Sequence, residues 1–259
     1  MDQVVEFSKV HLRIEQNHVL SNVNFRVNKG EKWAIVGPNG SGKTTVLRIV
    51  NGYLQPSRGR VSFHGDSEAV ELYEVRKNTG FVSSFLDNLL ESEDSVLDIV
   101  VSGKYGATRL WEIPPFEAVQ RARKLLRQLG CERFEDRRLA ELSQGERQKI
   151  LIARSMMSEP TLLTFDEPCA SLDLGAREQF LKGLETIARK NRSLSMIYVT
   201  HRIDEIPAVF NHALLLKKGR ILASGAIKRV LTEDNLSKCF GVRVAIKKWK
   251  NRFYPVVLG

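Results

Sequence analysis

Cysteine is scarce in this 259-residue chain: Cys131, Cys169 and Cys239 are odd in number, widely separated and free of any CxxC pair. That usage fits reduced thiols and argues against a disulfide framework or a zinc site. Also missing is any apolar run near the roughly 20 residues that a membrane span needs. The opening MDQVVEFSKV has no basic-then-apolar signal pattern, so the expectation is a cytoplasmic protein unless a partner tethers it. No low-complexity tract or internal repeat breaks the chain, which leaves one large domain, or one domain with a subdomain.

What is present is a composition of 42% hydrophobic and 27% charged residues, enough apolar material for a sizeable core. The net charge of +10 is compatible with nucleic acid, an anionic membrane surface, phosphate ligands or a plain basic surface. Charge alone does not choose among them.

Short strands are expected in VVEFSKVHL, LSNVNFRV, KWAIV and the glycine-bounded GRVSFHG, with a helix in TTVLRIVN stopped by Gly52. From Phe85 to about Glu141 the texture turns helical. In PFEAVQRARKLLRQLG, residues Phe116, Val119, Ala122, Leu126 and Leu129 recur at helical spacing and predict a buried stripe, with Arg121, Arg123 and Arg127 on other faces. Strand-like runs return at TLLTF, SMIYV and ALLLK, and a helical AREQFLKGLETIARK separates the first two. The alternation implies an α/β sheet with 85–141 as a helical insertion. The tail from Val242 reads as a basic strand pair.

Three stretches carry chemistry. Gly37-Pro38-Asn39-Gly40-Ser41-Gly42-Lys43-Thr44 matches GxxxxGK[ST] between an expected strand and helix. Glycines let successive amides approach phosphate oxygens, and the helix start adds unpaired N–H groups and a positive dipole end. Lys43 can reach the β/γ-phosphates, and the Thr44 hydroxyl can ligate Mg²⁺. Asp166 and Glu167 end the apolar LLTF run, where α/β ligands collect. Asp166 is the candidate Mg²⁺ holder. Glu167, expected to point the opposite way in an extended chain, is the candidate general base. His201 follows SMIYVT in an equivalent position and could contact a γ-phosphate or hold the attacking water, or serve as an ordinary polar residue. In LSQGERQK, Ser143 and Glu146 make a capping box. The same turn, with Gln144 and Gly145, could form a second anion site.

In that order GPNGSGKT, LSQGE, LLTFDEP, SLD (Ser171–Asp173) and His201 resemble the ATP-binding cassette (ABC) ATPases, over about residues 4–240. The resemblance implies an α/β P-loop NTPase fold with an N-terminal antiparallel β part, a mixed central sheet and an inserted helical subdomain. The implied boundaries are an ATP-binding core at 1–84 and 142–240, the helical part at 85–141 and a basic extension at 241–259. It implies ATP and Mg²⁺ as ligands, the loop from Gly37 to Thr45 (Thr45 included) as nucleotide contacts, and a head-to-tail homodimer. Each ATP would lie between one copy's Lys43 loop and the other's Ser143, Gln144 and Gly145, with Asp173 communicating across the interface. An integral membrane permease is the implied partner, which would hold the chain on the inner face of the cell membrane. Nucleic acid is not.

Three positions depart from the family pattern. Ser84 stands where a glutamine usually reaches the metal and the attacking water, Ile14 replaces the adenine-stacking aromatic, and Glu146 stands where the signature often has glutamine. The segment SVLDIVVSGKYGATRLW and the ending VLTEDNLSKCFGV resemble cassettes of iron-siderophore and molybdate-type uptake systems. If so, Leu86, Leu89, Val96 and Trp111 divide between subdomain core and a permease groove, the exposed ones marking docking. A soluble cassette acting on nucleic acid or ribosomes, and a regulatory cassette with weak turnover, are the competing readings.

Overall fold

The computed structural model describes residues 3–66, 71–250 and 252–258. In chain order its first half contains β1 (Gln3–Ile14), β2 (Asn17–Asn28), β3 (Lys32–Val36), α1 (Lys43–Val50), β4 (Arg58–Phe63), α2 (Leu72–Asn78), β5 (Thr79–Val82), α3 (Ser84–Asp87), α4 (Val96–Ser102) and α5 (Phe116–Gln128). The second half contains α6 (Gln144–Ser155), β6 (Leu162–Asp166), α7 (Leu174–Lys190), β7 (Ser195–Thr200), β8 (His212–Lys217), β9 (Arg220–Ala226), α8 (Ile227–Val230), α9 (Glu233–Phe240), β10 (Val244–Trp249) and β11 (Arg252–Val257).

The central sheet runs β5-β6-β7-β3-β8-β9, parallel except for the antiparallel edge strand β9. Its middle strands are buried along nearly their whole length because both faces are covered. On β3, Ala34 and Val36 face one core while Trp33 and Ile35 face the other; on β7, Met196 and Tyr198 alternate in the same way with Ile197 and Val199. One core packs the sheet against α4, α5, α6 and α7; the second packs it against α1 and a separate antiparallel sheet, β2-β1-β4. The mixed sheet, the N-terminal β part and the helical run between β5 and β6 follow the sequence expectation, as does the strand pair β10-β11.

The α5 stripe needs correction. Its buried residues are Ala118, Ala122 and Leu126, whereas Phe116, in the first turn, is 72% exposed. Phe116 is the first residue of the helix, and periodicity alone does not tell whether that end is covered. The proposed groove residues also divide: Leu86 and Val96 are fully buried, while Leu89 is half-exposed and Trp111 is 85% exposed. All three cysteines are buried and unpaired.

Candidate active site

The strand β3 delivers the chain into the Gly37–Gly42 loop, and α1 leaves it at Lys43. Two glycines are forced by geometry. A β-carbon on Gly37 would be driven into the Leu216 carbonyl, and Gly42 has φ 103°, a left-handed conformation that side chains rarely adopt. Gly42 caps α1 without any side-chain hydrogen bond, so the first amides of the helix have no side-chain partner. Asn39 and Gly40 are exposed at the loop tip, Pro38 and Thr45 are half-buried, and Ser41 is buried with its hydroxyl oxygen lacking a partner among the described residues. Orphaned donors around a glycine concavity fit an anionic phosphate chain. The turn at Gly219 clips the loop in place: its amide donates to Ser41 O at 2.9 Å, and its carbonyl accepts from Ser21 N at 2.9 Å.

Lys43 is the buried cation of this loop. Its Nζ donates to the carbonyls of Gly37 at 3.0 Å and Pro38 at 3.1 Å, and lies 3.3 Å from Glu167 Oε1. The other Glu167 oxygen, Oε2, lies 3.1 Å from His201 Nδ1. An ionised carboxylate can only accept, so Nδ1 carries the proton of that bond and Nε2 is left for a second partner. Glu167 is thus held between a lysine of the phosphate loop and a histidine following β7. The extended geometry expected at Glu167 does not occur: β6 ends at Asp166, and Glu167 has φ 46°. A left-handed non-glycine residue costs of order 1–3 kcal/mol, and such strain concentrates at functional sites.

Asp166 accepts a hydrogen bond from the Thr44 hydroxyl at 3.1 Å. Burial pushes its carboxyl up to about 6, reinforced by the charge of Glu167 and opposed by the Thr44 bond and by Lys43. A buried carboxylate beside a hydroxyl is a fit for a hard divalent cation. Among the described residues no cluster of three His, Cys, Asp or Glu side chains could enclose a metal alone. A cation here would therefore draw its remaining ligands from phosphate oxygens and water, the manner in which Mg²⁺ is commonly bound.

The shift has a consequence for stability. Because the folded pKa lies above the unfolded one, the folded chain binds more protons between about pH 4 and 6, so Asp166 costs stability as pH rises through that window. At pH 8 the full cost is roughly 3 kcal/mol. Asp166→Asn is expected to raise the melting temperature at pH 8 in metal-free buffer and to leave it nearly unchanged at pH 4. A variant that melts lower than the parent at pH 8 would contradict this electrostatic account.

Thr44, Ser84, Asp166, Glu167 and Ser171 line one cleft of about 370 Å³, which also takes in Gln144, Arg147 and Gln148 from α6. Ser84 thus lines the same cleft as the carboxylate pair. Ser143 and Gly145 are not in this cleft; they open onto another face, bounded by α5 and α7. The capping box is complete, with Ser143 N donating to Glu146 Oε2 at 2.9 Å and Glu146 N donating to Ser143 Oγ at 3.4 Å. Asp173 is exposed and caps α7, accepting from Ala176 N at 2.8 Å. No motif signalled Asp87 and Arg147, which form a largely buried 3.3 Å ion pair across the cleft wall between α3 and α6.

The chain is similar to the ATP-binding proteins of known transporters. A family model described as "ABC transporter" matches residues 20–170. The uncharacterized ABC transporter ATP-binding protein YlmA of Bacillus subtilis (strain 168) is 38% identical over 245 residues, covering 94% of this chain and 93% of its own length. The zinc transport system ATP-binding protein TroB of Treponema pallidum (strain Nichols) is 29% identical over 93% of this chain and 88% of that protein. The dimeric structure of MJ0796, a bacterial ABC transporter cassette, superposes with a TM-score of 0.72 at 25% identity, over 86% of this chain and 98% of that one.

Proposed function

The chain belongs to the ABC transporter family as an ATP-binding subunit, and from that premise we propose that it hydrolyses ATP with Mg²⁺, as a head-to-tail homodimer, to drive a membrane permease. The observation that carries the reading is the convergence of Lys43, Glu167 and His201 within hydrogen-bonding range at the mouth of a glycine loop.

In this reading an incoming triphosphate takes Lys43 from the Gly37 and Pro38 carbonyls, exchanging neutral acceptors for charged ones. Thr44 and Asp166 would hold Mg²⁺, which supplies neutralisation of the phosphate oxygens. Glu167 receives the proton of the attacking water, and His201, bonded to it, keeps that carboxylate in place. Ser84, two carbons shorter than a glutamine, reaches the same water or metal through a further water. Within one copy Gln144 lines the cleft of Asp166 and Glu167, whereas Ser143 and Gly145 open onto another face. A second copy supplies them, with Asp173 at the contact, and MJ0796 offers a dimeric precedent.

No helix among the described residues is long and apolar enough to cross a membrane, so transport requires a separate spanning subunit. In this assignment 1–84 and 142–240 form the ATP-binding core, 85–141 carries the permease contact and 241–259 is an added basic extension. Leu89, Trp111 and the 95% exposed Ile113 offer apolar surface for docking, and in this reading the docked permease holds the chain at the inner membrane face. The zinc transport system named for TroB favours a metal ion as the cargo class, and the resemblance to iron-siderophore and molybdate-type systems favours uptake as the direction. Affinity purification of the tagged chain from detergent-solubilised membranes should recover a polytopic membrane protein, with recovery reduced at least fivefold by Trp111→Asp. Retrieval of ribosomes or nucleic acid in its place would support the soluble-cassette alternative.

A further inference from the structure

The C-terminal hairpin encloses a second cleft, separate from the one lined by Thr44, Asp166 and Glu167. It measures about 610 Å³ and lies between β10-β11, α8 and the segment that follows β7. Its floor is apolar: Ile206, Phe210, Ile227 and Phe253 all line it and all belong to the buried core. Its rim carries Lys228, Lys248, Lys250 and the 67% exposed ring of Trp249.

The charge balance of this rim is one-sided. Among the described residues, no carboxylate pairs with Lys228, Lys248 or Lys250; Lys248 instead lies 5.6 Å over the Phe253 ring. The nearby acids are already engaged. Glu178 accepts from Arg252 Nη1 at 2.7 Å, and Glu185 accepts from the Ala208 amide at 3.1 Å while pairing with Arg189. Arg252 also donates to the Asp204 carbonyl, so it acts as a structural tie and adds no free cation. What remains is an apolar trough of small-molecule size, edged by three uncompensated ammonium groups and an aromatic face. Bare solvated lysines would need no such floor, and a purely apolar contact would need no such rim.

We propose that this cleft is a binding site for a small organic anion with an apolar body, an aryl or acyl carboxylate or sulfonate. The body fills the trough against Phe253 and the Trp249 ring, and the acidic head meets Lys228 and Lys248. A flat, fully solvated lysine patch would suit a membrane surface; a half-enclosed trough with an aromatic wall suits a discrete molecule.

The probe is 8-anilinonaphthalene-1-sulfonate, titrated into the full chain and followed by energy transfer from tryptophan. Expected are saturable one-to-one binding, loss of most of the transfer in Trp249→Phe, and at least a fivefold rise in Kd for Lys228→Ser/Lys248→Ser, with ATP affinity unaltered. The uncharged analogue N-phenyl-1-naphthylamine should bind at least fivefold more weakly than the sulfonate. Charge reversal in Lys228→Glu alone should shift Kd in the same direction. The proposal is overturned by equal affinity for the uncharged analogue, by a lysine variant within twofold of the parent, or by transfer that survives Trp249→Phe. It is equally overturned if these lysines govern binding to phosphatidylglycerol vesicles and leave the sulfonate titration unchanged, which would assign the face to a membrane.

Discussion

Replacing Glu167 by glutamine is expected to lower the rate of ATP hydrolysis by about 10²–10⁴-fold, the range lost with a general base, while ATP affinity holds or rises. The substitution is close to isosteric, and glutamine pays no more than glutamate for the φ of 46° at this position. Only the charge changes. Glu167 Oε1 lies 3.3 Å from Lys43 Nζ, so the neutral amide competes less for the ammonium and leaves it to the phosphates. The chemical step loses its proton acceptor while binding keeps its cation. If two copies close over ATP, the stalled protein should accumulate as a dimer with ATP and Mg²⁺ and fall apart when nucleotide is removed, as read by multi-angle light scattering. A variant that stays monomeric under saturating ATP would remove the support for closure by a second copy. Unchanged turnover would remove Glu167 from the chemistry.

Lys43→Ala should weaken ATP binding by about 10²-fold, corresponding to the roughly 2–3 kcal/mol of a charge-assisted contact, and should depress turnover at least as far. The side chain is only 4% exposed and bonds two loop carbonyls as well as facing Glu167, so its removal also strands acceptors inside the fold. A stability loss of about 1–3 kcal/mol is expected on that ground alone. Melting curves therefore accompany the binding titration, and Lys43→Met, which keeps the aliphatic stem, separates lost packing from lost charge. Both variants should bind ATP weakly even where the methionine form melts close to the parent. Parental affinity in a folded Lys43→Met protein would dissociate this lysine from the phosphates.

The two experiments probe different bonds of one cluster. Glu167 joins Lys43 to His201, so it reports on proton transfer after the nucleotide is seated, whereas Lys43 reports on the seating itself. A double variant should show affinity set by position 43 and residual turnover below that of either single change. Residues this close are not additive, and the departure from additivity measures their coupling.

Much of this was written locally. The loop at 37–44 is legible because the requirement is local: glycine where φ is positive or where a β-carbon meets the Leu216 carbonyl, then a helix start with lysine and threonine in register. Ser143 and Glu146 are legible for the same reason, since a capping box is closed within four residues. The apolar runs of β3, β6 and β7 announce strands covered on both faces, and the order of strands and helices announces the sheet.

Other features depended on what the chain meets at long range. Burial of Ala118 and exposure of Phe116 on α5 depend on what the fold sets against each position, which periodicity does not encode. Glu167 left the extended conformation because Lys43 and His201, 124 and 34 residues away in the chain, hold its two oxygens. The Asp87–Arg147 pair and the lysine-edged trough behind Arg252 join segments with no motif between them. The sequence by itself determined the phosphate loop, the helix caps and the α/β order, because each is closed by bonds or sterics within a few residues. The tertiary structure decided the strained carboxylate, the direction Ser143 faces and the second cleft, because each depends on packing between elements brought together only by the fold.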